Sequence, residues 1–252
     1  MILTLDSSTS WLSLAVGVVE HGSIRWLANW TRREGGKHTK ALPGDIEQIL
    51  FDAKVSPGQL TSCAVGLGPG SFTGLRVGLA TMKGVAYGRQ LSIGGVSSLR
   101  ALAFQALSYS PLLPLGVSPG ASPGVSPCVA VLDARHGEIY AGVFSGSRAE
   151  PAGAEFSLRP DALASALGEL RGKVQLVGEG VQVYRDVLRR DFDETQLAEG
   201  PLSPDARAIG ELCLPILPFS AETLFALEPH YVRPSEAEIK FPEGNFRPRM
   251  PE

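Results

Sequence analysis

The chain is poor in the residues that build covalent or metal-based sites. Its 252 residues include three cysteines, Cys63, Cys128 and Cys213, which lie far apart and form no CxxC pair. Widely spaced thiols in odd number argue against a disulfide framework or a zinc knuckle and are typical of a reducing compartment. The four histidines, at positions 21, 38, 136 and 230, include no HxxxH or HExxH pair. We therefore expect no metal centre.

Charge and long apolar runs are scarce as well. Charged residues make up 19% of the chain, and 23 basic against 26 acidic side chains give a net charge of -3. A protein that grips nucleic acid alone usually has a basic excess, so direct tRNA or DNA binding is not expected. No apolar stretch approaches membrane-spanning length, and the N-terminus has no basic region typical of a signal peptide. We expect a cytoplasmic protein without a membrane segment.

Hydrophobic residues make up 44% of the chain, enough for a globular α/β protein with a sizeable core. Predicted strands cover residues 2–5, 11–19, 24–30, 63–67, 129–132, 139–144 and 174–177. Predicted helices cover residues 38–53, 71–87, a segment capped by Ser97, and residues 161–170, 181–190 and 204–214. The first strands are expected to form a β-meander, and Gly94-Gly95 is predicted to be a turn.

Two halves of the chain repeat one order of strands, a polar turn with an Asp, and helices. This repetition predicts two lobes, residues 1–108 and 129–203, with the first joined by the C-terminal helix region at about 204–233. Between the lobes, residues 109–128 hold three Ser-Pro tetrapeptides and are predicted to be a low-complexity Gly/Ser/Pro linker. Residues 234–252 are predicted to be a polar tail.

Two short segments have the composition of an anion-binding site. A strand runs into GPGSFTGLR and then into a helix, and a second strand ends in LDSSTS. Small residues let backbone N–H groups converge near a helix N-terminus, where a phosphate would be stabilised. The candidate anion or nucleotide residues are Asp6, Ser7, Ser8, Gly68, Gly70, Ser71 and Thr73. The alternatives are a tight strand-to-helix turn and an Asx or Ser turn in a hairpin.

Nucleophilic catalysis has little support. GxSxG occurs twice, at Gly116–Gly120 and Gly120–Gly124, but the residues after the serines are prolines without the N–H that an oxyanion hole needs. The DARHGE turn, Asp133–Glu138, could be a site, or equally a charged turn whose members pair with each other.

The two predicted helices 38–53 and 71–87 each carry an apolar stripe. A helix-on-helix interface with a partner would use Leu42, Ile46, Ile49, Leu50, Leu75, Leu79 and Met82. The helical segment Gly74–Gly88 also contains glycines at positions 74, 78, 84 and 88, each of which costs about 1 kcal/mol relative to alanine. Such glycines are tolerated where another backbone comes close, and either the sheet of the same lobe or a partner's helix could be that neighbour.

Taken together, the motifs resemble one family. In order they are LTLDSSTSWLSLAV, HTKALPGDIEQIL, GLGPGSFTGLRVGLATMKGVAYG, GVSSLRALA, VLDARHGEIYAGVF and VGEG. Over residues 1–233 the chain resembles the TsaB (YeaZ) family, the dimerisation subunits of bacterial tRNA threonylcarbamoyladenosine biosynthesis. The resemblance implies an actin-like two-lobed fold, of the sugar kinase/heat-shock chaperone/actin class, with mixed sheets flanked by helices.

The resemblance also implies a non-catalytic scaffold that binds and activates a catalytic paralogue, TsaD, together with an ATPase, TsaE. The catalytic paralogue carries two metal-binding histidines four residues apart, and the matching positions here are Ser98 and Leu102. Neither side chain replaces an imidazole, so no catalytic residue is expected. The implied cofactor is ATP or ADP at the partner interface, tRNA is reached through the complex, and a homodimer is an alternative pairing.

The residues alone leave a rival open, a stand-alone actin-like ATP-binding enzyme such as a small kinase or ATPase. Its phosphate loops would be Asp6–Thr9 and Gly68–Thr73.

Overall fold

The computed structural model of the chain describes residues 1–33, 38–109, 127–197 and 200–233. In these ranges the strands are β1 (Ile2–Asp6), β2 (Trp11–Glu20), β3 (Ser23–Arg33), β4 (Ser62–Gly66), β5 (Ser92–Val96), β6 (Cys128–Arg135), β7 (Glu138–Ser145), β8 (Glu150–Pro151), β9 (Phe156–Leu158) and β10 (Gln175–Val177). The α-helices are α1 (His38–Asp52), α2 (Phe72–Arg89), α3 (Ser98–Tyr109), α4 (Leu163–Leu167), α5 (Glu179–Val183), α6 (Arg185–Leu188), α7 (Ala206–Leu212) and α8 (Ala221–Ala226).

The first sheet has the order β3-β2-β1-β4-β5. The antiparallel pairs β1–β2 and β2–β3 confirm the predicted meander, and β4 and β5 extend the sheet in parallel beyond β1. Since β1 is the central strand, its residues Ile2–Asp6 are all buried. α1 and α2 pack on one face, and α7 with part of α3 packs on the other. The apolar stripes of these helices are therefore used in the core of this sheet.

The second sheet has the order β10-β6-β7-β8, and β9 also pairs with β7. α3 covers one face of this sheet, whereas α4, α5 and α6 cover the other. β6 and β7 are antiparallel and joined by the DARHGE turn, as the sequence predicts. The expected α/β fold with mixed sheets flanked by helices is confirmed. The lobe boundaries at 108, 129 and 203 stay a prediction.

The prediction of a turn at Gly94-Gly95 is wrong, because both residues lie inside β5. A Cβ on Gly94 would lie 3.1 Å from the Cys213 sulfur, and one on Gly95 would lie 2.7 Å from a Leu67 methyl carbon. The glycines are therefore there to let other elements pack closely on the strand, and no turn needs them.

Other predicted elements are shortened or divided. The helix predicted over 161–170 is the single short α4 between 3₁₀ turns, and that over 181–190 is divided into α5 and α6. The sequence does not predict α8, β8 or β9, which are only six, two and three residues long. Residues 110–126, which hold both GxSxG matches and nearly all of the predicted linker, lie outside the described residues, as does the predicted tail 234–252. No helix in the described ranges is long and apolar enough to cross a membrane.

Candidate functional site

The carboxyl ends of β1 and β4 meet at one edge of the first sheet, because these strands are parallel neighbours. β1 ends at Asp6 and β4 at Gly66, so the segments that follow leave the sheet side by side. This edge brings together six of the predicted anion-site residues, namely Asp6, Ser7, Ser8, Gly68, Gly70 and Ser71. The seventh, Thr73, is exposed on the first turn of α2.

Asp6 is the centre of a buried hydrogen-bond network. Its Oδ1 accepts hydrogen bonds from the backbone N–H and the hydroxyl of Ser8, at 2.9 and 2.7 Å. Its Oδ2 accepts from the Ser98 hydroxyl at 2.6 Å, and that hydroxyl in turn accepts from the Gly68 N–H at 3.1 Å. The Asp6 carboxylate therefore ties the start of α3 and the glycine loop to the end of β1.

The two segments also touch through their backbones. The Ser71 N–H donates to the Ser8 carbonyl at 2.6 Å, and the Ser7 hydroxyl donates to the Gly74 carbonyl at 3.0 Å. A Cβ on Gly70 would lie 2.0 Å from the Ser8 carbonyl oxygen, and one on Gly74 would lie 2.2 Å from the Ser7 carbonyl oxygen. The glycines at 70 and 74 therefore serve close packing within the chain.

This arrangement uses its polar groups internally. Burial raises the pKa of the Asp6 carboxyl above its usual value, and hydrogen bonds from Ser98 and Ser8 offset only part of this increase. Magnesium requires an ionised carboxylate that still has a free lone pair facing open space, whereas Asp6 is buried and hydrogen-bonded at both oxygens. The geometry thus favours the alternative that the sequence left open, a structural strand-to-helix turn, and anion binding here stays a prediction.

Ser98 and Leu102 stand where the resemblance places the metal-binding histidines of the catalytic relative. Both are fully buried on α3. Ser98 bonds to Asp6, and Leu102 belongs to the core cluster between α3 and the second sheet. Among the residues that the structure describes, no group of three or more His, Cys, Asp or Glu side chains could hold a metal ion. At these two positions the side chains stabilise the fold.

The seven side chains predicted to contact a partner lie in the core of the chain itself. Each is at most 6% exposed: Leu42, Ile46, Ile49, Leu50, Leu75, Leu79 and Met82. The choice of residues is therefore corrected: the apolar stripes of α1 and α2 turn toward the sheet, because the sheet has to be covered on this face. That α1 and α2 contact a partner stays a prediction, and only their opposite faces are available for it.

The outward faces of α1 and α2 carry large apolar side chains that the sequence reading missed. Phe51 is 78% exposed, Tyr87 is 59% exposed and Phe72 is 42% exposed. The sequence signal for these residues is that they fall outside the amphipathic stripes, at positions where polar residues are expected. Among the residues that the structure describes, no atom outside the helix's own backbone would lie within 4 Å of a Cβ on Gly84 or Gly88, and both glycines are exposed. An exposed face with aromatic rings and bare helix backbone is typical of an interaction surface.

Both acidic residues of the DARHGE turn bond to other elements. The Asp133 carboxylate accepts from the Tyr184 hydroxyl at 2.9 Å and from the Arg135 N–H at 2.9 Å. Glu138 forms an ion pair with Arg233 at 3.1 Å. The turn therefore anchors α5–α6 and the C-terminal residues on the second sheet, which is a structural use of its charges.

Comparison with known proteins finds relatives that are described as tRNA-modification proteins. A family model described as "TsaD: tRNA N6-adenosine threonylcarbamoyltransferase" matches residues 32–200. The tRNA threonylcarbamoyladenosine biosynthesis protein TsaB of Escherichia coli is 29% identical over 194 residues, which cover 74% of each chain. The TsaB protein of Bacillus subtilis is 26% identical over 255 residues, covering 96% of this chain and 98% of its own.

A solved structure shares the fold. A Pseudomonas aeruginosa protein described as similar to peptidase YeaZ superposes with a TM-score of 0.68 over 92% of this chain and 99% of its own. The two sequences are 23% identical, so the likeness concerns the architecture alone.

Proposed function

The chain belongs to the family of TsaD, the tRNA N6-adenosine threonylcarbamoyltransferase, and to its TsaB/YeaZ branch, and from this premise we propose that it is a non-catalytic partner subunit. It takes part in tRNA threonylcarbamoyladenosine biosynthesis. In the proposal, it docks on a TsaD-like catalytic paralogue and activates threonylcarbamoyl transfer to the adenosine next to the tRNA anticodon.

The proposal that the chain is non-catalytic rests on the structural roles of Ser98 and Leu102. A hydroxyl that bonds to a buried carboxylate and a leucine in the core cannot ligate a metal in place of two imidazoles. The chemistry therefore has to be supplied by a relative that retains the ligands, and this chain contributes through contact.

The outward faces of α1 and α2 support docking. The glycines at positions 84 and 88 each cost about 1 kcal/mol of helix stability relative to alanine, and no described element of the chain packs closely enough to require a glycine there. A helix of another molecule could approach this bare backbone closely. Exposed Phe51, Phe72 and Tyr87 would supply apolar area to the same contact.

The proposal also covers the other members of the complex. A TsaE-like ATPase acts on the pair, and tRNA is bound through the complex, in keeping with the net charge of -3. ATP or ADP would bind at the partner interface, since the polar groups around Asp6 are already hydrogen-bonded within the chain. The same hydrogen bonding disfavours the rival reading, a stand-alone ATP-binding enzyme.

Reconstitution tests the proposal. The TsaD-like paralogue, the TsaE-like ATPase, tRNA and threonylcarbamoyl-adenylate are combined with and without the full chain, and modified tRNA is measured. We expect modification to require the chain, and we expect the chain alone with tRNA and the adenylate to be inactive. Equal modification without the chain would refute the activating role, and transfer by the chain alone would refute the non-catalytic one.

Calorimetric titration of the isolated chain with ATP and magnesium tests the rival hypothesis, a stand-alone ATP-binding enzyme. The proposal expects no tight binding and no turnover. Tight binding together with ATP hydrolysis would favour the enzyme reading instead.

A further inference from the structure

The strand β5 forms one edge of the first sheet, and part of its backbone points away from the sheet. The Val96 carbonyl accepts a hydrogen bond from the Leu67 N–H at 2.9 Å, on the side of β4. Because the bonding side alternates from residue to residue along a strand, the N–H and C=O groups of Ile93 and Gly95 point to the opposite side. Among the described residues no strand pairs with that side of β5. Two donors and two acceptors therefore line a free edge.

The strand β5 also lacks the features by which many edge strands avoid pairing. Charged side chains and prolines commonly protect a sheet edge, and the sequence SIGGV contains neither. The opposite edge strand of the same sheet, β3, carries Arg25, Arg32 and Arg33. An uncharged edge that contains two glycines instead lets another backbone approach closely.

A cavity of about 390 Å³ lies along this edge, and we call it the β5 groove. Ile93, Gly94 and Gly95 form one of its walls. The opposite walls are mostly apolar and come from the segment between α7 and α8 and from the residue after α8, including Cys213, Leu214, Ile216, Leu217 and Leu227. Outward backbone groups on one side and apolar side chains on the other suit an extended peptide that carries large apolar residues.

The chain itself contains a segment of this kind beyond the described residues. Residues 237–241 have the sequence AEIKF, in which apolar and charged residues alternate, and Pro242 follows. A period of two is the sequence signal for a strand with one apolar side. The five residues of this segment also equal β5 in length.

The last described residues bring the chain to the carboxyl end of β5. The His230 N–H donates to the Leu67 carbonyl at 2.7 Å, and Leu67 in turn bonds to Val96, the last residue of β5. Ile239 lies six residues beyond Arg233, and six residues span up to about 20 Å when extended. A segment that enters at the carboxyl end of β5 and follows its edge runs antiparallel to it.

We propose that residues 237–241 add to the free edge of β5 as an antiparallel strand, with Ile239 and Phe241 in the β5 groove. The outward N–H and C=O groups of Ile93 and Gly95 supply the pairing, and the apolar walls of the groove receive the two large side chains. The inference concerns the chain by itself and does not depend on the proposed function.

Tethering favours this segment over a strand from another molecule. A segment joined to its site by a short flexible connection has an effective concentration on the order of millimolar. A second copy of the chain or an extended segment of a partner would have to compete with it for the same edge. We therefore assign the groove to the chain's own residues 237–241.

Amide hydrogen exchange of the full chain, followed residue by residue by NMR, tests the pairing. We expect the Ile93 and Gly95 amides to exchange at least about tenfold more slowly in the wild type than in Ile239→Glu/Phe241→Glu, which places charge in an apolar groove. Phe246→Glu changes an apolar residue outside the alternating segment and is expected to leave both amides as in the wild type. Circular dichroism of each variant checks that the fold is kept.

Cross-linking tests the alternation independently. Cys213 lines the β5 groove, and the other two native cysteines are buried. Under mild oxidation, at least one of the variants Ile239→Cys and Phe241→Cys is expected to form a disulfide with Cys213. Lys240→Cys is the matched control, because its side chain would point to the other side of the added strand. Mass spectrometry of the digested chain identifies the linked residues.

The outcomes distinguish the own segment from other occupants. Equal exchange of the Ile93 and Gly95 amides in wild type and double variant would refute the inference, as would equal cross-linking from positions 239, 240 and 241. Protection that is lost on dilution, with disulfides between two molecules, would assign the edge to a second copy. Protection that develops only after the TsaD-like paralogue is added would assign it to that partner. Either of the last two results overturns the assignment and leaves the proposed function untouched.

Discussion

The four glycines of α2 have opposite surroundings in the two halves of one helix. In the first half, a Cβ on Gly74 or Gly78 would lie 2.2 Å from an oxygen of Ser7. In the second half, a Cβ on Gly84 or Gly88 would meet no other described element within 4 Å. The sequence alone allows two neighbours for these glycines, the sheet of the same lobe or a helix of a partner. The first two glycines contact their own chain, and the last two lie on exposed helix backbone that another molecule can reach.

This difference separates the side of the helix that packs within the chain from the side that is proposed to dock. The N-terminal half of α2 lies against Asp6–Ser8, the sheet edge where the sequence predicts an anion or nucleotide site. Hydrogen bonds and close packing within the chain fill this edge. The C-terminal half has no such contact and carries exposed Tyr87. The comparison predicts that changes on the inner side act on folding, whereas changes on the outer side act on binding.

The largest expected effect comes from placing a charge on the inner side. Leu75 is 2% exposed, so Leu75→Glu buries a carboxylate without a partner, at a cost that approaches the ~5–15 kcal/mol stability of a typical domain. We expect an unfolded or aggregated chain in circular dichroism and gel filtration. Ala80→Glu, on the exposed side of the same helix, is the matched control and retains the fold. A folded Leu75→Glu chain that only loses its partner would mean that Leu75 is an interface residue after all.

A smaller effect is expected from one methyl group at the glycines. Gly74→Ala forces a Cβ onto the Ser7 carbonyl and should lower the free energy of unfolding by about 3 kcal/mol or more. Gly84→Ala has free space and should raise it by up to about 1 kcal/mol through helix propensity. Urea denaturation of both variants measures the difference. Equal changes in both would contradict the distinction between the two halves.

The smallest effect concerns pH. Burial raises the pKa of Asp6, so the folded chain holds this proton more tightly than the unfolded chain. Its contribution to stability is fully present below the unfolded carboxyl pKa of about 4 and is lost as the pH rises through the raised folded-state pKa. Asp6→Asn should therefore flatten the dependence of the urea midpoint on pH in the window from about 4 upward. Asp186→Asn, which changes an almost fully exposed carboxylate, serves as control. A slope unchanged in Asp6→Asn would refute the assignment.

Much of the fold could be predicted because strong periodic signals coincide with long elements. The meander β1–β3, the glycine loop and α2 follow from apolar runs and a cap, and Ser71 does accept a hydrogen bond from Gly74 N–H at the start of α2. β5 was missed because paired glycines normally indicate a turn, and only contacts from Cys213 and Leu67 explain them in a strand. Such contacts join residues far apart in sequence and leave no local pattern.

For the candidate site, the sequence predicts two polar segments, and anion binding by them stays a prediction. The structure places Asp6, Ser8 and Gly68 of these segments in one hydrogen-bonded cluster. That their donors and acceptors satisfy one another depends on Ser98, which comes from a third segment. On the helices, the apolar stripes were correctly found, but periodicity alone does not say whether a stripe faces the core or a partner. The burial of the side chains answers this question, and it shows that Phe51 and Tyr87 lie on the exposed side.

The most direct test is the affinity of the chain for its TsaD-like paralogue when bare helix backbone on α2 is covered. Gly84→Leu adds a side chain where no other described element lies within 4 Å, and Gly172→Leu does the same in the turn before β10. We expect both variants to fold, Gly172→Leu to bind like wild type, and Gly84→Leu to bind at least about tenfold more weakly. Equal affinity of all three proteins would contradict the central claim that the free half of α2 is the docking surface.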